Sequence, residues 1–152
     1  MIGGYYGYFA NVYESESPEK IRAVGFYATD VETSYTVYVI DKFESEDSFK
    51  NMRYVTSGVF ENAGYYTVKF DDPVLITGEK YAIVVRITTP NSKRPIAVEM
   101  KKDYVTKTVD ITDGVGYISL YGQNWERVEE KYNCNVCLKA YTDIYEFENI
   151  VK

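Results

Sequence analysis

Hydrophobic and polar positions alternate with a period of two along most of the chain, the spacing of strands with one face toward a core. Tyr81, Ile83, Val85 and Ile87 fall on one side of such a pattern, with Ala82, Val84, Arg86 and Thr88 on the other. Tyr66, Val68 and Phe70 alternate with Tyr65, Thr67 and Lys69, and Val24, Phe26 and Ala28 form a third set. Tyr35, Val37 and Val39 form a fourth, but the intervening Thr36, Tyr38 and Ile40 are nearly as apolar, which predicts a strand covered on both faces.

Turn signals separate these runs at strand-and-turn spacing: Asn62-Ala63-Gly64, Asp71-Asp72-Pro73, Thr77-Gly78-Glu79, Thr89-Pro90-Asn91 and Thr112-Asp113-Gly114. Pro73 and Pro90 are expected between strands, where a missing amide hydrogen costs the ladder nothing. Helical signals are confined to Ser15–Lys20, which could open one turn, and Glu44–Asn51, which reads as a loop or a short helical turn. The expectation is an all-β, antiparallel two-sheet β-sandwich of jelly-roll type, with about eight to ten strands. No repeat or linker divides residues 1–152, which read as one domain, expected to be a fragment of a larger protein.

Composition sharpens this picture. Seventeen tyrosines, seven phenylalanines and one tryptophan make the chain 16% aromatic, and tyrosine suits a pleated, half-buried surface. The net charge of −6 disfavours nucleic acid and anionic membrane surfaces as partners. The absence of histidine removes imidazole-based catalysis and the commonest zinc ligand. A carboxylate glycosidase stays formally open, but no pair of acids stands out. Cys134 and Cys137 have C-x-x-C spacing, yet they fall in a strand-like run that points them to opposite faces, which suits neither a disulfide nor a shared metal. The start at Met1-Ile2-Gly3-Gly4 shows no signal peptide, and no run reaches transmembrane length. The Tyr5, Tyr6 and Tyr8 cluster is expected to pack as a first strand or against a neighbouring domain.

Several segments, in this order, carry a family resemblance: Ala10-Asn11-Val12-Tyr13, Ile21–Tyr27, Ser34–Val39, Ser57-Gly58, Gly64–Val68, Pro73-Val74 and Gly78–Val85. It continues through Thr89-Pro90, Pro95–Glu99, Tyr117-Ile118-Ser119, Gly122, Trp125 and Asn135–Ala140. Together they resemble the lectin-like domain found beside papain-type cysteine peptidases in secreted clostridial and archaeal proteins. One departure is Tyr121, where the resemblance leads one to expect an acidic residue before Gly122. The resemblance implies a β-sandwich of the carbohydrate-binding type, with the peptidase nucleophile and its histidine in a separate domain. It also implies a secreted or cell-surface location.

Sugar recognition pairs an aromatic ring with polar groups for the hydroxyls. The candidate ligand residues are therefore Trp125, Tyr121 and Tyr117, with Gln123 and Asn124 as polar partners. The competing role for a lone tryptophan in a sandwich is a core plug. No cofactor is expected unless it is a structural calcium ion, for which Asp71, Asp72, Asp110 and Asp113 are the candidate ligands. Their spacing matches no known calcium loop, so solvated loop acids are the preferred reading. The leading expectation is a non-catalytic accessory module of a peptidase that binds extracellular glycan or cell-wall polymer. The alternative is a structural domain that packs on the peptidase domain and binds no sugar. A row of exposed rings beside polar groups favours the first, and a flat apolar patch rimmed by charge favours the second.

Overall fold

The computed structural model of the protein describes residues 5–15, 18–77, 79–100, 115–128 and 134–144. The described strands form two main sheets, and every pairing in them is antiparallel. The larger sheet comprises β1 (Tyr6–Glu14), β3 (Thr33–Ile40), β4 (Arg53–Phe60), β6 (Lys80–Thr88), β8 (Val115–Ser119) and β9 (Glu126–Arg127), in the order β4-β3-β6-β1-β8-β9. The smaller one is β11-β2-β5, formed by β2 (Glu19–Ala28), β5 (Gly64–Ile76) and β11 (Leu138–Ile144). A short ribbon pairs β7 (Val98–Met100) with β10 (Cys134–Val136). The eleven described strands exceed the expected eight to ten because β7, β9 and β10 are fragments of two or three residues. Tyr6 and Tyr8 belong to the start of β1, and Tyr5 lies just before it.

The period-two pattern dictates the main core. Phe9, Val37, Val39, Ile83, Val85 and Ile87 from the large sheet meet Val24, Phe26, Val68 and Leu138 from the small one. Phe26 is the centre of the contact, with ring centroids 6.1 Å from Phe9, 5.5 Å from Tyr35 and 5.8 Å from Phe60. Each such side chain contributes about 1.5–3 kcal/mol when fully buried.

Two sequence expectations are corrected. Asp71-Asp72-Pro73 is not a turn between strands but lies within β5. There the register against β2 jumps from Ala23↔Lys69 to Ile21↔Val74, a wide bulge. β5 is the edge of its sheet, and edges and bulges are where a sheet tolerates proline. Ser15–Lys20 starts no described helical turn; β2 begins at Glu19. The Glu44–Asn51 signal becomes a 3-10 helix over Glu46–Asn51. Its start is built from serines: Ser45 Oγ accepts the Asp47 amide at 3.3 Å, and Ser48 Oγ accepts the Glu44 amide at 2.9 Å. The predicted turn at Thr112–Gly114 lies outside the described residues.

A second, smaller core occupies the outer face of the large sheet. Ala10, Val12, Ile40, Ala82, Val84 and Tyr117 are covered there by Phe43, Phe49 and Trp125. This explains the two-sided apolarity of β3 and β6, for the 3-10 helix and its flanks roof over half of that outer face. A polar clamp ties the sheets together. Asn11 Nδ2 and the Tyr13 hydroxyl both donate to the Leu138 carbonyl, at 2.9 and 2.8 Å. Leu138 is the first residue of β11, just after the chain leaves β10 at Cys137. Cys137 is half-buried at that switch.

Candidate functional site

The roof covers only half of the outer face of the large sheet. On the uncovered half, strand alternation brings Tyr6 and Tyr8 of β1, Ser34, Thr36 and Tyr38 of β3, and Arg86 and Thr88 of β6 to one surface. The register sets the neighbours: Arg86 pairs with Tyr8 on one side and Thr36 on the other, and Tyr6 pairs with Thr88. Tyr38 lies opposite Tyr54 of β4, with ring centroids 6.5 Å apart. Tyr54 is 58% exposed, and its hydroxyl is 3.0 Å from Ser57 Oγ. At the other end Tyr121, 66% exposed, leans on Tyr6 with centroids 6.2 Å apart. The result is a row of tyrosine rings interleaved with hydroxyls around one guanidinium.

Burial raises the Tyr38 hydroxyl above its ordinary pKa, and the neighbouring Tyr8 and Tyr54 hydroxyls act in the same direction against the Arg86 charge. At neutral pH the hydroxyl therefore stays protonated and able to donate. Arg86 has no ion-pair or hydrogen-bond partner among the described residues, whereas Arg22 on the small sheet is paired with Asp143 at 3.3 Å.

The sequence candidates divide. Tyr121 stands at the end of this row, and Gln123 and Asn124 are exposed on the same segment. Trp125 is only 9% exposed and stacks on Phe49 at 4.0 Å, with its edge on Tyr8. Tyr117 is buried beside it in the second core. Gly122, with φ of +78°, lies flat under the Tyr8 ring and lets the Tyr121 segment close onto the sheet. Asp71 and Asp72 are exposed on the β5 bulge, and Asp110 and Asp113 lie outside the described residues. Among the described residues no group of three or more acidic or thiol side chains is placed to hold a metal ion.

Sequence reasoning had the outward face of β6 but missed the row, because alternation says which way a side chain points and not which strand lies beside it. The available signal was Arg86 itself, a lone charge inside the apolar run Tyr81–Ile87.

Two other surfaces carry aromatic groups. On the outer face of the small sheet, Tyr27 and Tyr65 meet edge to face at 5.0 Å, and the Tyr65 and Tyr141 hydroxyls are 3.0 Å apart. Tyr65 lies across Gly25, whose missing side chain makes the room. Exposed Lys69, Lys139, Arg22 and Asp143 border this patch. A cleft of about 560 Å³ opens where the ends of β1 and β11 face each other, lined by Tyr13, Glu14, Glu19, Tyr81, Lys139 and Tyr141 among others. Burial, with the Glu19 charge, pushes Tyr81 up to about 12. Glu19 is engaged as acceptor of the Thr142 hydroxyl at 2.8 Å.

Comparison with known proteins agrees with this architecture. A structure of the clostridial cysteine protease Cwp84 after propeptide cleavage superposes with a TM-score of 0.71 at 26% identity, over 95% of this chain and 37% of that one. The crystal structure of the cysteine protease and lectin-like domains of Cwp84, a surface layer associated protein of Clostridium difficile, gives 0.69 at 25% identity, over 94% and 33%. The chain thus spans about a third of the length of the solved chains it matches. No curated protein matches it. The model of the lectin-like domain family matches residues 2–142, nearly the whole chain, and the chain belongs to that family.

Proposed function

We propose that the chain is a non-catalytic accessory module of a secreted or surface cysteine peptidase, and that it binds extracellular glycan on the uncovered half of the large sheet. The observation that carries this reading is the row Tyr54, Tyr38, Tyr8, Tyr6 and Tyr121, set beside Thr36, Thr88, Ser57 and Arg86 on one open face. Ring faces take up the apolar faces of sugars, and the hydroxyls and guanidinium supply donors and acceptors at the same level. Likeness to a protein that joins lectin-like and cysteine protease domains supports the accessory role. Tethering would raise the local concentration of a catalytic domain at its target, which lets a shallow site serve.

The small-sheet patch supports a second role for the opposite side. Tyr65 and Tyr141 spend their hydroxyls on each other, and charges rim the rings, as at an interface with another protein domain. The two roles use different faces and are compatible.

A panel of bacterial-wall and host glycans, screened with and without calcium, tests the binding reading. Saturable binding is expected, weakened about fivefold or more by Tyr54→Ala or Tyr121→Ala. Binding that neither substitution touches would move the site elsewhere, and a negative result across the panel would leave only the interdomain role.

A further inference from the structure

We infer that the open face prefers glycans that carry a negative charge, as carboxylate or phosphate, and that Arg86 is the group that reads it. This rests on the proposed glycan site and narrows its substrate class.

Arg86 is an exposed charge in an otherwise apolar stretch of a central strand. From Tyr81 to Ile87, β6 is buried at every position except Arg86. Its neighbours across the pairing are Tyr8 and Thr36, so the charge sits inside the sheet and not at its margin. The chain has 23 acidic residues against 17 basic ones, an excess from which a neutralising partner could easily come. Yet none of the described residues supplies one. The face's own positions on β1, β3, β4 and β6 hold tyrosine, serine and threonine around the guanidinium, with exposed Val59 beside Ser34, and no carboxylate.

A planar guanidinium with several fixed donors matches the two oxygens of a carboxylate or phosphate, and such charge-assisted bonds are roughly twice as strong as neutral ones. A neutral sugar would leave that capacity unused. The flanking hydroxyls of Thr36 and Thr88 reach the sugar ring while the guanidinium holds its charged substituent. The net charge of −6 works against a polyanion at long range, so any preference is local and set at Arg86.

Matched ligands test this. Oligogalacturonate is compared with its methyl ester, and yeast phosphomannan with the same mannan after dephosphorylation, on the full chain and on Arg86→Gln. The wild-type chain is expected to favour the charged member of at least one pair by about five- to tenfold, and Arg86→Gln to bring that ratio to about one. Arg86→Lys, which keeps the charge but loses the fork, should fall between. The pair that shows the preference tells carboxylate from phosphate. A ratio of about one in the wild type, or a preference that survives in Arg86→Gln, overturns the inference. If uncharged glycans of the wider panel still bind and Tyr54→Ala weakens them, the glycan site stands without its charge preference. If nothing binds, both fall together.

Discussion

Trp125 meets Phe49 nearly parallel, with ring planes 10° apart, and the pair closes the second core against Tyr117 and Phe43. Removing either ring leaves a cavity that the short 3-10 helix must collapse into. Phe49→Ala or Trp125→Ala should therefore cost about 3–5 kcal/mol, read as a lower denaturant midpoint. A Trp125→Ala variant of undiminished stability would contradict the packing described. Gly25 is constrained from the other side: an added Cβ would come within 1.9 Å of the Tyr65 hydroxyl. Gly25→Ala should push the Tyr65 ring outward, break its contact with Tyr141 and cost about 1–2 kcal/mol. In the Tyr65→Ala background the same change should cost much less, and strict additivity of the two would disprove the clash.

At the scale of elements, the clamp from Asn11 and Tyr13 to Leu138 joins the sheets where β10 hands over to β11. Asn11→Leu leaves the Leu138 carbonyl with one donor fewer in a buried site and should cost about 1–3 kcal/mol in thermal or chemical denaturation. Much of this level was legible in the sequence. The alternation of Tyr66, Val68 and Phe70, of Val24 and Phe26, and of Tyr81 to Ile87 predicted strands and their inward faces, because burial on one side leaves a period-two trace. The near-equal apolarity of Thr36, Tyr38 and Ile40 even hinted at the second core. Asp71-Asp72-Pro73 misled, because a bulge on an edge strand and a turn between strands ask for the same residues. The row of tyrosines was illegible for a different reason. Tyr54, Tyr38, Tyr8 and Tyr121 come from four separate stretches of chain, brought together by the strand order β4-β3-β6-β1-β8, with Tyr121 on the segment that follows β8. Of the sequence candidates around Trp125, Tyr121 belongs to the row, whereas Trp125 itself closes the second core.

At the scale of the whole molecule, four tyrosines are held protonated more firmly than in an unfolded chain. Burial raises Tyr35, Tyr38, Tyr65 and Tyr81, and the value reaches about 12 for Tyr81 against an ordinary 10.0. For Tyr65 the hydrogen bond to Tyr141 adds to burial. An acid whose folded pKa is raised lends stability that is complete below its unfolded pKa. That stability drains away as the pH climbs from about 10 through about 12. The chain should accordingly unfold in alkali over that window, and Tyr81→Phe should flatten the decline in a series of denaturant midpoints. A decline of equal steepness in the variant would show that Tyr81 does not contribute. The stack on Phe49 also has an optical consequence. Only one indole is present in 152 residues, so all tryptophan emission comes from a single place. That fluorophore touches Tyr8, and Tyr8 is itself a wall of the open face, so a ligand that displaces Tyr8 changes the surroundings of the indole. The protein carries its own reporter, and occupancy of the face can be followed as a shift in intrinsic fluorescence with no label attached.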